Sequence, residues 1–194
     1  MPAVVTVGLF LARIGESDCE ELGEGFLVQP INALSSFAYV AVGLAIAVVA
    51  ARRASRPVDS YVYAACVAAV GLGSVAFHGP QPDGSRVMHD LPILITVIFI
   101  ALWDLRVLVP SFRFVLPAFA VGAILATVLS VVSIDAGAVA TGLMLACVAV
   151  EEFLILRRGL RPGGDRTHRY AAWAVLGVAV VAGGSWLLGR TGSP

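Results

Sequence analysis

Apolar residues run along this chain in six blocks, each separated from the next by a short polar interruption. The blocks cover residues 27–51, 60–77, 91–109, 114–132, 136–156 and 170–188. A helix that crosses a bilayer needs about 20 predominantly apolar residues. Each block meets that length to within a turn, so the pattern predicts an all-α integral membrane protein with six transmembrane helices. The fourth and fifth blocks are separated only by Ser133, Ile134 and Asp135, which predicts a tight polar turn. Residues 27–188 form the helical part of a single membrane domain that spans 1–194. Residues 1–26 form an acidic amino-terminal segment, whose first stretch, Met1 to Ile14, reads as a short interfacial piece.

The interruptions alternate in charge. Arg52, Arg53 and Arg56 follow the first block; Arg106 and Arg113 follow the third; Arg157, Arg158, Arg161, Arg166 and Arg169 follow the fifth. Arginine-rich loops stay on the cytoplasmic side. The other side then receives the amino terminus, residues 79–89, the Asp135 turn and the carboxyl end. The acidic run Glu16, Asp18, Glu20, Glu21 and Glu24 suits that external position. The expected topology is multi-pass, with the amino terminus outside and the loop 157–169 in the cytoplasm.

Composition sharpens the membrane reading. The 194 residues are 59% hydrophobic and 13% charged, with formal net charge +0 and mean hydropathy +0.91. A soluble domain carries about 25% charged residues. All basic residues are arginine, and the absence of lysine excludes Schiff-base chemistry such as that of a retinal protein. No basic stripe interleaved with aromatics points to nucleic acid. Cys66 and Cys147 sit inside apolar blocks and read as small core residues; no C-x-x-C spacing suggests a redox pair or zinc knuckle.

Polar side chains inside a membrane are costly, so each one asks for a reason. The second block ends Gly71-Leu-Gly73-Ser74-Val-Ala-Phe77-His78. Ser74 and His78 are four residues apart and share a helix face. Gly71 and Gly73 would admit a neighbouring helix at close range. The third block opens with His89-Asp90-Leu-Pro92, which puts Asp90 opposite His78 across a short loop. Singly, each has an ordinary explanation. Serines pack in membrane helices, a terminal histidine sits at an interface, and Asp90 ahead of Pro92 resembles an N-cap or first-turn residue. Together, at this spacing, they describe a candidate site.

The same residues carry a family resemblance. Gly71 to His78, followed by His89-Asp90-Leu91-Pro92-Ile93, resembles the G-x-G-S-x-x-F-H and D-E-L-P-M signatures of the alkaline ceramidases. Cys19-Glu20 and Asn32-Ala-Leu-Ser35-Ser36 resemble that family's C-E and N-T-x-S-N elements. The motifs span roughly residues 16–95, and the helix pattern extends the likeness over the remainder. The alkaline ceramidases belong to a superfamily of seven-helix membrane hydrolases that includes the progestin/adipoQ receptors. The resemblance implies a zinc amidohydrolase acting on ceramide-like lipids. It implies that His78 binds zinc, that Ser74 holds the water or polarises the scissile carbonyl, and that Asp90, or His89 in an ungapped alignment, moves the proton. The resemblance also implies an amino-terminal calcium site, for which Asp18, Glu20 and Glu24 are the candidate oxygen ligands.

The chain departs from the family at two points. The family closes its zinc site with an H-x-x-x-H pair at the start of a seventh helix. Here the only other histidine is His168, in the cytoplasmic loop. A catalytic zinc takes three protein ligands. The expectation is therefore that the 194 residues are part of a seven-helix protein and bind zinc poorly by themselves. The family's D-W-C-E element, aligned on Cys19-Glu20, also finds Ser17 and Asp18 in its first two places. Three readings follow: a zinc-dependent lipid hydrolase that cleaves an amide bond, a metal-free serine hydrolase built on Ser74 and His78, or a membrane receptor with a polar pocket. A membrane lipid is the partner in the first.

Overall fold

The computed structural model describes residues 20–53 and 58–160. Within them the chain forms five helices: α1 Pro30–Arg52, α2 Val58–His78, α3 Ser85–Leu108, α4 Val115–Val132 and α5 Ile134–Arg158. All five are long and apolar enough to cross a membrane. The architecture is an integral membrane helical bundle, without strands among the described residues. The sixth expected span at 170–188, the segment Met1 to Ile14, Asp18 and His168 lie outside the described residues.

Much of the bundle's surface is apolar. Leu34, Val42, Leu44, Leu125, Val131 and Leu143 are all more than half exposed. In water such a surface would aggregate; in a bilayer it is the lipid contact. Because lipid is as apolar as leucine, helix association must come from close packing rather than from apolar burial. Glycines supply that packing. A side chain at Gly43 would meet Ala64 and Ala68 of α2, and one at Gly71 would meet Val40 and the Ser36 carbonyl of α1. Gly73 does the same for α3, where a Cβ would overlap the Met88 carbonyl.

Helix α3 is the hub and packs against α2, α4 and α5. Its buried Phe99 stacks on Tyr63 of α2 with centroids 5.8 Å apart and meets Phe119 of α4 edge-on at 5.3 Å. Such offset and T-shaped pairs match the ring quadrupoles. At one end of the α2–α3 pair, Arg106 lies 3.6 Å from Asp59 and 5.3 Å from the Trp103 ring centre. Asp59 opens α2 and Arg106 closes α3, so the two helices run antiparallel. The end of α2 and the start of α3 therefore meet at the opposite pole.

Four expectations are corrected. Helix α3 begins at Ser85, capped by Gly84 in the left-handed conformation (φ 78°), so Asp90 sits in its second turn rather than at its cap. Pro92 does not mark a helix start. It lies inside the helix, where its missing N–H leaves the Met88 carbonyl without its helical donor. That carbonyl is the one pressed against Gly73, whose Cα–H can take up part of the lost interaction. Ile134 and Asp135 belong to the first turn of α5, and only Ser133 separates α4 from α5, its hydroxyl accepting from the Ala136 N–H at 3.2 Å. Cys66 is buried as expected, but Cys147 is exposed, because α5 turns that face away from α3 and α4.

Candidate functional site

The candidate site lies where α1 begins, α2 ends and α3 begins. Gln29 precedes Pro30, and a residue before proline is pushed out of the helical region. Its backbone is accordingly non-helical (φ −129°, ψ 82°). In that conformation the Gln29 N–H donates to the His78 carbonyl at 2.8 Å, and the Val28 N–H donates to the Gly79 carbonyl at 3.1 Å. The last carbonyls of a helix lack intrahelical donors. The segment before α1 thus completes the end of α2 and fixes the backbone that carries His78.

Side chains add a second grip. The His78 Nδ1 atom lies 2.6 Å from Gln29 Oε1, and Gln29 Nε2 donates to the Glu20 carbonyl at 2.8 Å. Gln29 is fully buried. The Glu20 carboxylate accepts from the Ile31 N–H (2.9 Å) and the Asn32 N–H (2.8 Å). A carboxylate there satisfies two orphan donors and complements the helix dipole. Glu20 is thereby engaged in capping α1, while Glu24 is exposed.

On the α1–α2 seam, Ser74 Oγ lies 2.7 Å from Ser36 Oγ, and Ser36 donates to the Asn32 carbonyl at 2.6 Å. A hydroxyl has one proton. With the Ser36 proton committed to Asn32, Ser74 donates to Ser36. The Ser74 oxygen then faces its surroundings as an acceptor. Both serines are buried, and the close approach at Gly71 is what brings them together.

On the α2–α3 seam, the His78 and His89 rings meet edge to face with centroids 5.7 Å apart. Phe77 touches both, at 4.9 Å from His78 and 4.7 Å from His89. His89 Nδ1 lies 2.7 Å from Asp90 Oδ1, and the other Asp90 oxygen lies 3.8 Å from Arg86 Nε. A carboxylate can only accept here, so His89 carries a proton on Nδ1, and in the neutral ring the lone pair is on Nε2.

The expected trio is therefore distributed. His78 is joined ring to ring by His89, Asp90 orients His89, and Ser74 is drawn to Ser36. Sequence spacing pointed to Ser74, His78, His89 and Asp90. It did not point to Gln29, whose contact to His78 crosses 49 positions. The only local signal was a polar residue directly before Pro30 at the head of an apolar block.

His78 suits a zinc ligand by its chemistry, since Gln29 holds Nδ1 and the ligating lone pair belongs to Nε2. Among the described residues no group of three or more His, Cys, Asp or Glu side chains is placed to hold a metal ion. A metal bound at His78 would therefore need its other ligands from outside that group of described side chains.

The model of the ceramidase family matches residues 26–191. No curated protein and no solved structure matches the chain. The matched stretch contains the seams that place Gln29, Ser36, Ser74, His78, His89 and Asp90, together with all five described spans. The chain belongs to the ceramidase family, which supports a multi-pass membrane lipid hydrolase acting on ceramide.

Proposed function

We propose that this chain carries the site of a zinc-dependent amidohydrolase that cleaves the amide bond of ceramide-like lipids, with the site at the external end of the bundle. The observation that carries the reading is the meeting of His78 and His89 at 5.7 Å, with Asp90 holding His89 at 2.7 Å. Zinc held in part by His78 would supply Lewis acidity, polarising the scissile carbonyl and lowering the pKa of a water nucleophile towards neutrality.

The chain's own residues supply the rest. Asp90 keeps His89 in the tautomer whose Nε2 accepts a proton, and its charge stabilises the imidazolium that forms. As the water oxygen bonds to the carbonyl carbon, its proton passes to the Asp90–His89 pair. The C–N bond then breaks, and the same pair returns the proton to the leaving nitrogen. The products are a fatty acid and a free amine. Ser74 lies one helical turn before His78; on turning its proton away from Ser36 it would donate to the developing oxyanion. Its bond to Ser36 in the resting site favours this role over that of a nucleophile activated by His78. Calcium at Asp18, Glu20 and Glu24 has weaker support, because the Glu20 carboxylate caps α1.

The test uses purified protein in lipid nanodiscs. Zinc content is measured by elemental analysis, and amide hydrolysis by mass spectrometry of the released fatty acid. His78→Ala should lose zinc and hydrolysis together. Ceramide hydrolysis that survives both chelation and His78→Ala would rule the reading out.

A further inference from the structure

We infer that Gln29 is a positioning residue that sets the tautomer of His78. Its functional consequence rests on the proposed role of His78 as a zinc ligand, but the tautomer itself follows from the hydrogen bonds alone.

A glutamine amide offers an oxygen that accepts and a nitrogen that donates, and the two are assigned by their partners. Here one partner is the Glu20 backbone carbonyl, 2.8 Å away, which can only accept. The amide nitrogen must face it. The amide oxygen must then face His78 Nδ1 at 2.6 Å, and an oxygen acceptor at that distance requires a proton on Nδ1. In the neutral ring the lone pair is consequently on Nε2. The assignment is protected on three sides. Gln29 is fully buried, so water does not compete for its amide. Its backbone N–H is tied to the His78 carbonyl at 2.8 Å, so the two residues move as one. Glu20, which supplies the fixed carbonyl, is itself held to α1 through Ile31 and Asn32.

The sequence Glu20 to Gln29 to His78 is thus a directed chain. It begins at the head of one span and ends on the ring of another. Histidine ligands to metals commonly donate their second nitrogen to an oxygen acceptor, and loss of that acceptor typically costs about 10–100-fold in metal affinity. Gln29 supplies that acceptor through a neutral amide rather than a carboxylate. It therefore fixes the ring without adding negative charge beside it.

The test reads the tautomer directly. Full-length protein with ¹⁵N-labelled histidine, free of metal, is studied by long-range ¹H–¹⁵N correlation, with His89→Gln and His168→Gln used for assignment. Wild-type His78 should be the Nδ1–H form; an Nε2–H form would overturn the inference without any variant. Gln29→Met removes the acceptor at similar size. It should populate the other tautomer and weaken zinc binding, titrated with zinc alone, by about 10–100-fold. Gln29→Glu keeps an acceptor towards His78 but sets an oxygen against the Glu20 carbonyl. It should lower thermal stability while retaining the Nδ1–H form and zinc affinity. Equal loss of zinc in both variants would reduce Gln29 to a packing residue and refute the inference. If His78→Ala retains zinc while Gln29→Met still switches the tautomer, the ligand role of His78 fails and the tautomer assignment stands.

Discussion

The carbonyl oxygen of Met88 rests against Gly73, at a point where a side chain of even one carbon would overlap it. Pro92 frees that carbonyl by lacking the N–H that would bind it, and Gly73 gives it room. The contact draws α3 onto α2 directly beside His89. Gly73→Ala should spread this seam. Overpacking of this kind costs about 1–3 kcal/mol. We expect a lower melting temperature and at least a tenfold loss of ceramide hydrolysis. Gly142→Ala, where nothing among the described residues lies within 4 Å, is the control and should change neither. Wild-type activity in Gly73→Ala would remove the seam from the account of the site.

The two serines make opposite predictions. Ser74→Ala removes a proposed oxyanion donor and should lower kcat by about 100-fold or more. Ser36→Ala removes the acceptor that holds the Ser74 proton and the donor to the Asn32 carbonyl, but no group proposed to touch the substrate. It should lower thermal stability yet leave kcat near wild type. Matching losses of kcat in the two variants would mean that the serine pair acts as a packing unit.

Asp90 and His89 should behave as one device. His89→Ala should lower kcat by about 100- to 10,000-fold, the range for a positioned acid–base group. Asp90→Asn can offer an N–H to Nδ1 and so invert the His89 tautomer. A comparable loss is expected. Zinc content should stay at the wild-type level in both. Loss of zinc in His89→Ala would move His89 from proton carrier to ligand.

Orientation is open to direct labelling. In a background lacking native cysteines, Gly163→Cys should resist a membrane-impermeant maleimide in intact cells and react after permeabilisation. Asp83→Cys, on the opposite side of the bundle in the proposed topology, should react in intact cells. The reverse pattern would invert the protein and place the site on the cytoplasmic face.

The membrane architecture was legible because bilayer thickness sets one length scale for every span. Hydropathy, however, marks the lipid, not the helix. It placed the third span at 91–109, whereas the helix starts at Ser85, because Arg86, His89 and Asp90 continue the helical ladder beyond the apolar block. Pro92 reinforced that misplacement, since proline usually stands at a helix start, whereas here it lies inside α3 with the freed Met88 carbonyl against Gly73 of another helix. Ser74 and His78 could be paired by spacing because helical periodicity is local. The directions of the Ser74 and Asp90 hydrogen bonds could not be, because Ser36 and His89 compete for them in three dimensions. Gln29 was out of reach for the same reason: its role depends on a neighbour 49 positions away.

Every described residue of the candidate site lies between positions 20 and 90, in the first three spans and the segment that precedes them. A chain is synthesised from its amino terminus and can begin to fold as it emerges. The polar end of the bundle can thus be built while α4 and α5 are still being made. Those later helices close over the far faces of α3, through contacts such as Phe99 with Phe119. Force profiling of ribosome-tethered chains should then register a pull as α3 joins α2, ahead of any signal from α4. Substitutions in the first three spans would thus act on the candidate site directly, whereas those in α4 and α5 would reach it mainly through α3.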